Sequence, residues 1–211
     1  MVVKRGDTYY MFAEGSKDNH TVMLTSKDRV NWKWEGPLDI RLADGKTRID
    51  EPCGTPTIWI EDGTWYLFYE RLDKSVWLAK SSDVLSRAWI NVQDEPVLVP
   101  GPAAYDKDLI ALDQIIKHRG AYYAFYHASG EEAAIRTWNT NVARSTDLVH
   151  WKKFAGNPII EDNKSSGILI RNGHRYRLYT MHDQIDIFTS RSKQAEPRGK
   201  KLQNAGRWGT E

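Results

Sequence analysis

The chain contains a single cysteine, Cys53, among its 211 residues. One thiol cannot form an intrachain disulfide, and it cannot supply a cysteine-rich metal site. Cys53 directly follows Glu51-Pro52 at the start of a predicted strand, which favours a small buried apolar side chain over a nucleophile. The sequence therefore excludes a disulfide framework and gives no reason to expect cysteine chemistry.

Long apolar runs and an excess of one charge are also absent. No stretch of 18 apolar residues could span a membrane, and the first twelve residues, MVVKRGDTYYMF, lack the apolar core of a secretory signal. A net charge of +2 provides no electrostatic basis for binding nucleic acid or a membrane. We expect a cytoplasmic protein with neither partner; a natural N-terminus further upstream would leave a secreted or periplasmic location open.

Aromatic residues, in contrast, are abundant. Nine Trp and ten Tyr are typical of a β-propeller or of a surface that binds sugars. The length suits one large all-β domain. In residues 50–82, three short strands are predicted at 55–60, 65–70 and 76–80. The first two are joined by Asp62-Gly63, a dipeptide typical of tight hairpin turns.

This strand pattern repeats along the chain. A turn followed by a pair of aromatic residues recurs at positions 7, 63 and 120, and more weakly at position 173. These positions are 56, 57 and 53 residues apart. Two further markers follow in the first three units. One is a Ser-x-Asp segment with Trp32, Trp89 or Trp151, and the other is a proline before apolar residues at 37, 96 and 158. A period of about 50 residues built from short strands indicates the blades of a propeller.

Four units can be counted, and they divide the chain into a propeller domain over 1–190 and a loose C-terminal tail over 191–211. The first unit retains at most Val2-Val3-Lys4 of its inner strand, and the last lacks an outer strand. Open strand edges promote association. The sequence therefore leaves open an arc, closure by strand exchange, or a homo-oligomer formed through the blade edges.

Polar residues are concentrated where the first strand of a unit begins and the second strand ends, which is the same face of a propeller. A ring of carboxylates and imidazoles at this face could supply the acid and base of glycoside hydrolysis. Each acid alone is more often a turn residue. The candidates include Asp50, Glu51, Asp108, Asp113, Ser165, Ser166, Glu14, Glu70, Arg71, His127, His182 and Asp183. Trp138, in the long segment 128–140, could stack on a sugar ring.

A family resemblance rests on these repeats. The chain resembles the five-bladed β-propeller glycosidases in the order of its motifs, which is an inner strand, a Gly turn, YYxFY and then ARSTDLxxWxxxxxNPI. This group of enzymes includes arabinanase/β-xylosidase enzymes, neoagarooligosaccharide hydrolases and levanase/invertase relatives. Residues 120–126 with 142–160 match best, followed by 63–69 with 78–89. The resemblance covers nearly all of 2–190 and implies an all-β, five-bladed-propeller-like fold that lacks part of the N-terminal blade or blades.

The resemblance also implies a glycosidase with an axial acidic site. Glu51, ahead of Gly54-Thr55-Pro56, would be the general acid, and Asp108 or Asp113 would orient it. The usual base of the first blade is missing, and Asp50 would have to replace it. Glu70, Arg71, His127 and His182 would hold sugar hydroxyls, and Trp138 and Asp183 would also belong to the substrate-binding residues.

The expected function is thus hydrolysis of a plant or algal oligosaccharide, with inversion. The alternatives are a non-catalytic carbohydrate-binding propeller and an incomplete propeller completed by oligomerisation. We expect no cofactor or metal, and the sequence leaves open an axial ion such as Ca²⁺.

Overall fold

The structure, a computed structural model, describes residues 1–15, 20–71, 74–130 and 136–190. The predicted tail, 191–211, lies outside the described residues. Within them the chain forms strands and two short 3-10 helices, Val84–Ser86 and Ala104–Asp106. In the described ranges, no helix is long and apolar enough to cross a membrane.

The strands form four sheets, which we call blades 1 to 4. Blade 1 contains β1 (Val2–Arg5), β2 (Thr8–Glu14), β3 (Thr21–Ser26) and β4 (Lys33–Pro37). Blade 2 contains β5 (Asp39–Arg41), β6 (Cys53–Glu61), β7 (Thr64–Arg71), β8 (Ser75–Ser81) and β9 (Ala88–Asn91). Blade 3 contains β10 (Leu109–His118), β11 (Ala121–Ser129), β12 (Asn139–Ser145) and β13 (Lys152–Lys153). Blade 4 contains β14 (Ser165–Asn172), β15 (Arg175–Met181) and β16 (Ile185–Thr189).

Each blade is an antiparallel meander whose first long strand is nearest the axis, and blade 2 contains β5 in addition, paired in parallel with β9. The prediction of an all-β, propeller-like fold is confirmed. The described residues form four blades, one fewer than the five that the family resemblance implies. The inner strand of blade 1 has four residues, whereas β6, β10 and β14 have eight to ten. This difference agrees with the short first strand expected from the sequence.

Two of the repeat markers lie at the outer edges of the blades. In blade 2, Trp89 lies in the fourth strand, β9, with β5 beyond it at the sheet edge, and Leu98 of the proline-apolar marker forms a single bridge to Val76. Ile160 bridges Thr140 in blade 3 in the same way. The proline-apolar marker therefore pairs with the start of the third strand, and the chain segment containing the tryptophan pairs with its end. In addition, β5 lies between the first two repeat units and pairs in parallel with β9.

The core lies between adjacent blades. The alternation of side chains along β7 sends Trp65, Leu67 and Tyr69 into the core shared with blade 1. Phe68 faces the core shared with blade 3. Trp89 is fully buried and meets Phe12 edge-to-face, with ring centroids 6.1 Å apart. Blade 2 thus contributes to two hydrophobic layers, as expected for a sheet packed between two others around an axis.

A one-residue bulge interrupts each of β6, β10 and β14, between residues 54 and 57, 112 and 114, and 165 and 168. Side chains just after the bulges join the inner strands. Thr57 donates a hydrogen bond from Oγ1 to the Leu112 carbonyl (2.7 Å), and Gln114 exchanges two hydrogen bonds with the backbone of Leu169. These bonds fix the spacing of neighbouring blades at the axis, where the bulges expose their extra residues.

Candidate active site in the axial cavity

The inner strands surround a cavity of about 680 Å³. Its wall includes the bulge residues Thr55, Asp113 and Ser166, together with Glu14 from the end of β2. Thr55 and Ser166 have positive φ values of 45° and 55°. A β-bulge is a common device for aiming a side chain at a functional site. Here the inner strands of three blades each place a bulge residue at the same cavity.

Asp113 and His127 form a carboxylate–imidazole pair beside this cavity. Nδ1 of His127 lies 2.6 Å from Oδ1 of Asp113. The other carboxylate oxygen, Oδ2, accepts a hydrogen bond from the Gly167 amide of blade 4 at 3.2 Å. The Asp113 side chain is only 5% exposed and that of His127 is 14% exposed. Asp113 is therefore held from two blades, and its orientation fixes that of the imidazole.

This environment raises the pKa of His127 above its usual value. Burial of the imidazole is the largest influence and lowers the pKa, but it is outweighed by the negative charge of Asp113, its hydrogen bond, and the charge of Glu70. The pair thus favours an imidazolium next to the cavity. Trp138 covers it edge-on, with ring centroids 5.1 Å apart and an interplanar angle of 73°.

Glu14 is a further carboxylate of the cavity wall; the repeat places it on this face, but the resemblance gives it no catalytic role. The Glu14 carboxylate lies against Gly54, and a β-carbon added to Gly54 would be only 2.9 Å from Glu14 Oε2. Among the described residues, Glu14 has no hydrogen-bonding or ion-pair partner. Because Glu14 ends a second strand, as Glu70 and His127 nearly do, its topological position was available from the repeat. Its approach to Gly54 of the next blade was not.

Glu51, the predicted general acid, lies outside the cavity wall. Its two carboxylate oxygens accept hydrogen bonds from Nη2 of Arg71 at 3.0 and 3.1 Å. This interaction with Arg71 holds the pKa of Glu51 below its usual range. A general acid near neutral pH needs the opposite shift. The guanidinium also lies over the Trp77 ring, 4.7 Å from its centroid, so Arg71 is fixed by both contacts.

Glu70 lies between the bulge of blade 2 and His127. It accepts a hydrogen bond from Thr55 Oγ1 at 2.9 Å, and its charge contributes to the raised pKa of His127. Asp108 is buried, and its Oδ2 lies 3.1 Å from Nη2 of Arg136. That contact has the distance of an ion pair but not the angles of a hydrogen bond, since the same oxygen has no hydrogen-bond partner.

The remaining predicted site residues are dispersed. Asp50 is exposed and lies 3.4 Å from Arg48. His182 and Asp183 are exposed in the turn after β15, whereas the preceding Met181 lines the cavity. His182 and Asp183 lie beyond the end of β15 and Asp50 lies in the segment before β6, and all three side chains are exposed. The structure therefore brings together Asp113, His127, Glu70 and Trp138, but not Asp50, His182 and Asp183.

Asp106, which also precedes an inner strand, forms a buried ion pair with Lys153 that supports the fold. It is fully buried and accepts a hydrogen bond from Lys153 Nζ at 2.5 Å. The same ammonium donates to the carbonyls of Val99 and Gly101, each at 2.7 Å. Burial raises the pKa of Asp106, and the lysine opposes this shift. Within the described part of the chain, no three His, Cys, Asp or Glu side chains are grouped so as to hold a metal ion.

The fold is shared with carbohydrate-active enzymes. A glycosyl hydrolase from Bacteroides ovatus superposes with a TM-score of 0.72 at 14% identity, over 92% of this chain and 64% of that protein. A family 117 glycoside hydrolase from Zobellia galactanivorans gives 0.70 at 16%, over 90% and 64%. The β-1,2-mannobiose phosphorylase from Listeria innocua gives 0.67 at 19%, over 88% and 55%.

These neighbours define a class of structure, the β-propeller of glycoside hydrolases and phosphorylases. No protein-family model and no curated protein sequence matches the chain. The chain spans less than two thirds of the length of the three proteins described above. At identities of 14 to 19%, the likeness establishes the fold and does not identify the reaction.

Proposed function

We propose that the axial cavity is the active site of a glycoside hydrolase that cleaves a plant or algal oligosaccharide with inversion. The observation that carries the proposal is the Asp113–His127 pair beside a cavity that also contains the Glu14 carboxylate. Glycoside hydrolysis needs a proton donor and a proton acceptor on opposite sides of one bond. Blades 3 and 1 supply candidates for the two roles.

In this proposal, His127 is the proton donor. Its raised pKa keeps the imidazole protonated in a larger fraction of molecules near neutral pH. As the bond between the anomeric carbon and the glycosidic oxygen breaks, the proton passes from His127 to that oxygen. Asp113 is a positioning residue, because it accepts the hydrogen bond at Nδ1 and so leaves Nε2 to face the substrate.

Glu14 is the proposed general base. A water molecule attacks the anomeric carbon from the face opposite the leaving group, and Glu14 accepts its proton. Gly54 has no side chain, so the carboxylate can lie against the backbone of blade 2. Glu70, Arg71 and Trp138 are proposed to contact sugar hydroxyls and rings. Glu51 is proposed to hold Arg71 in place, and Asp108 to hold Arg136. In this scheme Asp50, His182 and Asp183 have no catalytic role.

A substrate screen tests the reaction class. Oligosaccharides from arabinan, xylan, agar and carrageenan, together with aryl glycosides, are incubated with the chain, and proton NMR follows the anomeric signals. Each substrate is tested with and without inorganic phosphate, because the structural neighbours include both hydrolases and a phosphorylase. The proposal expects phosphate-independent cleavage in which the inverted anomer is formed first.

The other outcomes are equally informative. Cleavage only with phosphate, giving a sugar phosphate, would replace hydrolysis by phosphorolysis. Retention of the anomeric configuration would overturn the single displacement by water. Binding detected by line broadening, without any product over long incubation, would overturn catalysis and favour a carbohydrate-binding propeller.

A further inference from the structure

A second cleft lies beside blade 3, adjacent to the Asp113–His127 pair. Its volume is about 450 Å³. Two aromatic rings, Tyr105 and Trp138, line it together with amide and carboxylate side chains. The polar residues that line it include Asn139, Glu161, Asp162 and Asn163. Aromatic faces combined with carboxylates and amides are suited to binding the apolar face and the hydroxyl groups of a sugar.

Trp138 connects this cleft with the axial site. The edge-to-face contact between the Trp138 and His127 rings places the indole between the imidazole and the cleft. Its backbone is held on both sides, since the Trp138 amide donates to Asn163 Oδ1 and its carbonyl accepts from the Lys164 amide, each at 3.1 Å. A ligand that reaches both sites would pass this tryptophan.

Tyr105 is fixed on the other side of the cleft. Its carbonyl accepts a hydrogen bond from Asn139 Nδ2 at 2.9 Å, and its hydroxyl accepts one from Asn157 Nδ2 at 3.4 Å. The Trp138 backbone and the Tyr105 backbone and ring are thus held by hydrogen bonds that do not involve a ligand. Binding to a surface that is already ordered costs little conformational entropy. The cleft is therefore a preformed receptor for a rigid ligand.

The charges of the cleft restrict the class of ligand. Glu161 and Asp162 are both exposed at its rim. No Lys or Arg is among the described residues that line it. A carboxylate or sulfate on a ligand would face these two negative charges without compensation, and unpaired like charges reject a ligand. Uncharged sugar hydroxyls, in contrast, can donate hydrogen bonds to both carboxylates.

We propose that this cleft binds an uncharged sugar residue of the oligosaccharide whose glycosidic bond lies at the axial cavity, and that it selects against uronic and sulfated sugars there. This inference rests on the proposed function, because it assigns the cleft to another part of the same substrate. Trp138 is the residue shared by the two sites, and Glu161 and Asp162 determine the selectivity.

Fluorine NMR of protein labelled with 5-fluorotryptophan tests the inference without requiring turnover. The Trp138 resonance is assigned by its loss in Trp138→Phe. It is then followed during titration with tri- and tetrasaccharides of arabinan, xylan and agar, and with matched uronate-bearing or sulfated oligosaccharides. We expect a saturable shift with a neutral oligosaccharide, no shift with its monosaccharide, and weaker binding of the acidic counterpart. No shift with any oligosaccharide would overturn the inference, as would stronger binding of acidic ligands.

Charge reversal at the rim provides the matched comparison. Glu161→Lys should improve the binding of acidic relative to neutral oligosaccharides by roughly five-fold, the size of one exposed charge contact in water. Glu95→Lys, at an exposed carboxylate in the segment after β9, makes the same charge change elsewhere and should leave the ratio unchanged. Equal effects of both variants would attribute the selectivity to net charge and overturn the role of the cleft.

The two proposals can fail separately. If an oligosaccharide shifts the Trp138 resonance but the protein cleaves nothing, sugar binding in the cleft is supported and the proposed hydrolysis is rejected. Turnover of an oligosaccharide that causes no change at Trp138 would retain hydrolysis and reject the cleft.

Discussion

Asp113 and His127 lie 2.6 Å apart between Oδ1 and Nδ1, and the second oxygen of Asp113 accepts the Gly167 amide. One carboxylate thus connects the inner strand of blade 3, the second strand of the same blade and the inner strand of blade 4. Asp113 is also the extra residue of the β10 bulge. The pair is therefore part of the structure that joins the blades, as well as the centre of the proposed site.

Replacing Asp113 by Asn should lower the pKa of His127. The amide has no negative charge, so burial of the imidazole becomes the dominant influence on this pKa. A pH titration of the His127 ring by carbon–proton correlation NMR measures the shift. Asp183→Asn removes an exposed carboxylate at the adjacent turn and serves as the control. An unchanged His127 pKa in Asp113→Asn would refute the electrostatic role of the pair.

The same pair should make stability depend on pH. The folded pKa of His127 is raised, so its contribution is fully present below the unfolded pKa of about 6.5 and is lost as pH rises through the folded pKa. The difference in free energy of unfolding between the parent and Asp113→Asn should therefore be largest on the acid side. Urea denaturation at several pH values checks this, and a difference that grows with rising pH would contradict it.

Gly54→Ala should reduce activity with little loss of stability. The new β-carbon would come within 2.9 Å of Glu14 Oε2, the end of a flexible side chain that can move away. Displacing the proposed base lowers kcat, whereas the core is unaffected. In the Glu14→Gln background, the same substitution should have almost no further effect on kcat, because the base is already absent. If the losses of kcat were additive in the double variant, Gly54→Ala would act independently of Glu14.

Lys153→Met should destabilise the fold strongly. Asp106 is fully buried, and removing its ammonium partner leaves an uncompensated carboxylate, which typically costs about 3–5 kcal/mol. Urea denaturation measures the loss. Asp106→Asn in the same chain should recover part of it, and Lys33→Met, which breaks an exposed pair with Glu35, should cost less than about 1 kcal/mol. Equal losses at Lys153 and Lys33 would contradict this interpretation.

Replacing two tryptophans of outer strands should change the free energy of unfolding by very different amounts. Trp89 is fully buried between blades 1 and 2, whereas Trp34 is 59% exposed. Trp89→Ala should lower the free energy of unfolding by about 3–5 kcal/mol, since it leaves a large cavity. Trp34→Ala should change it by less than about 1 kcal/mol. Similar denaturation midpoints for the two variants would show that the layer between blades 1 and 2 does not contribute as the packing indicates.

Local patterns predicted the fold because each blade is built from neighbouring strands. The alternation of Trp65, Leu67 and Tyr69 with Phe68 is visible in the sequence and corresponds to the two core layers. β5 was not predicted, because its three residues pair with β9, which lies far along the chain. Short strands of this kind are fixed by tertiary pairing rather than by their own composition.

The candidate site was only partly predictable for the same reason. The repeat placed Asp113 and His127 on one face, and the structure joins them. The interaction of Glu51 with Arg71 and the approach of Glu14 to Gly54 depend on side-chain positions at the tops of the blades. Hydrophobic periodicity contains no information about such contacts, so the assignment of the general acid to Glu51 followed the resemblance alone.

The initial rate of glycosidic cleavage by Glu14→Gln, compared with the parent and with Asp50→Asn, tests the proposed active site most directly. Glu14 lines the axial cavity, whereas Asp50 is an exposed carboxylate that was also a candidate base. The account predicts that Glu14→Gln loses at least about 100-fold in kcat while Asp50→Asn retains the parental rate, as expected for removal of a general base. Parental kcat in Glu14→Gln, on a substrate that the parent cleaves, would contradict it.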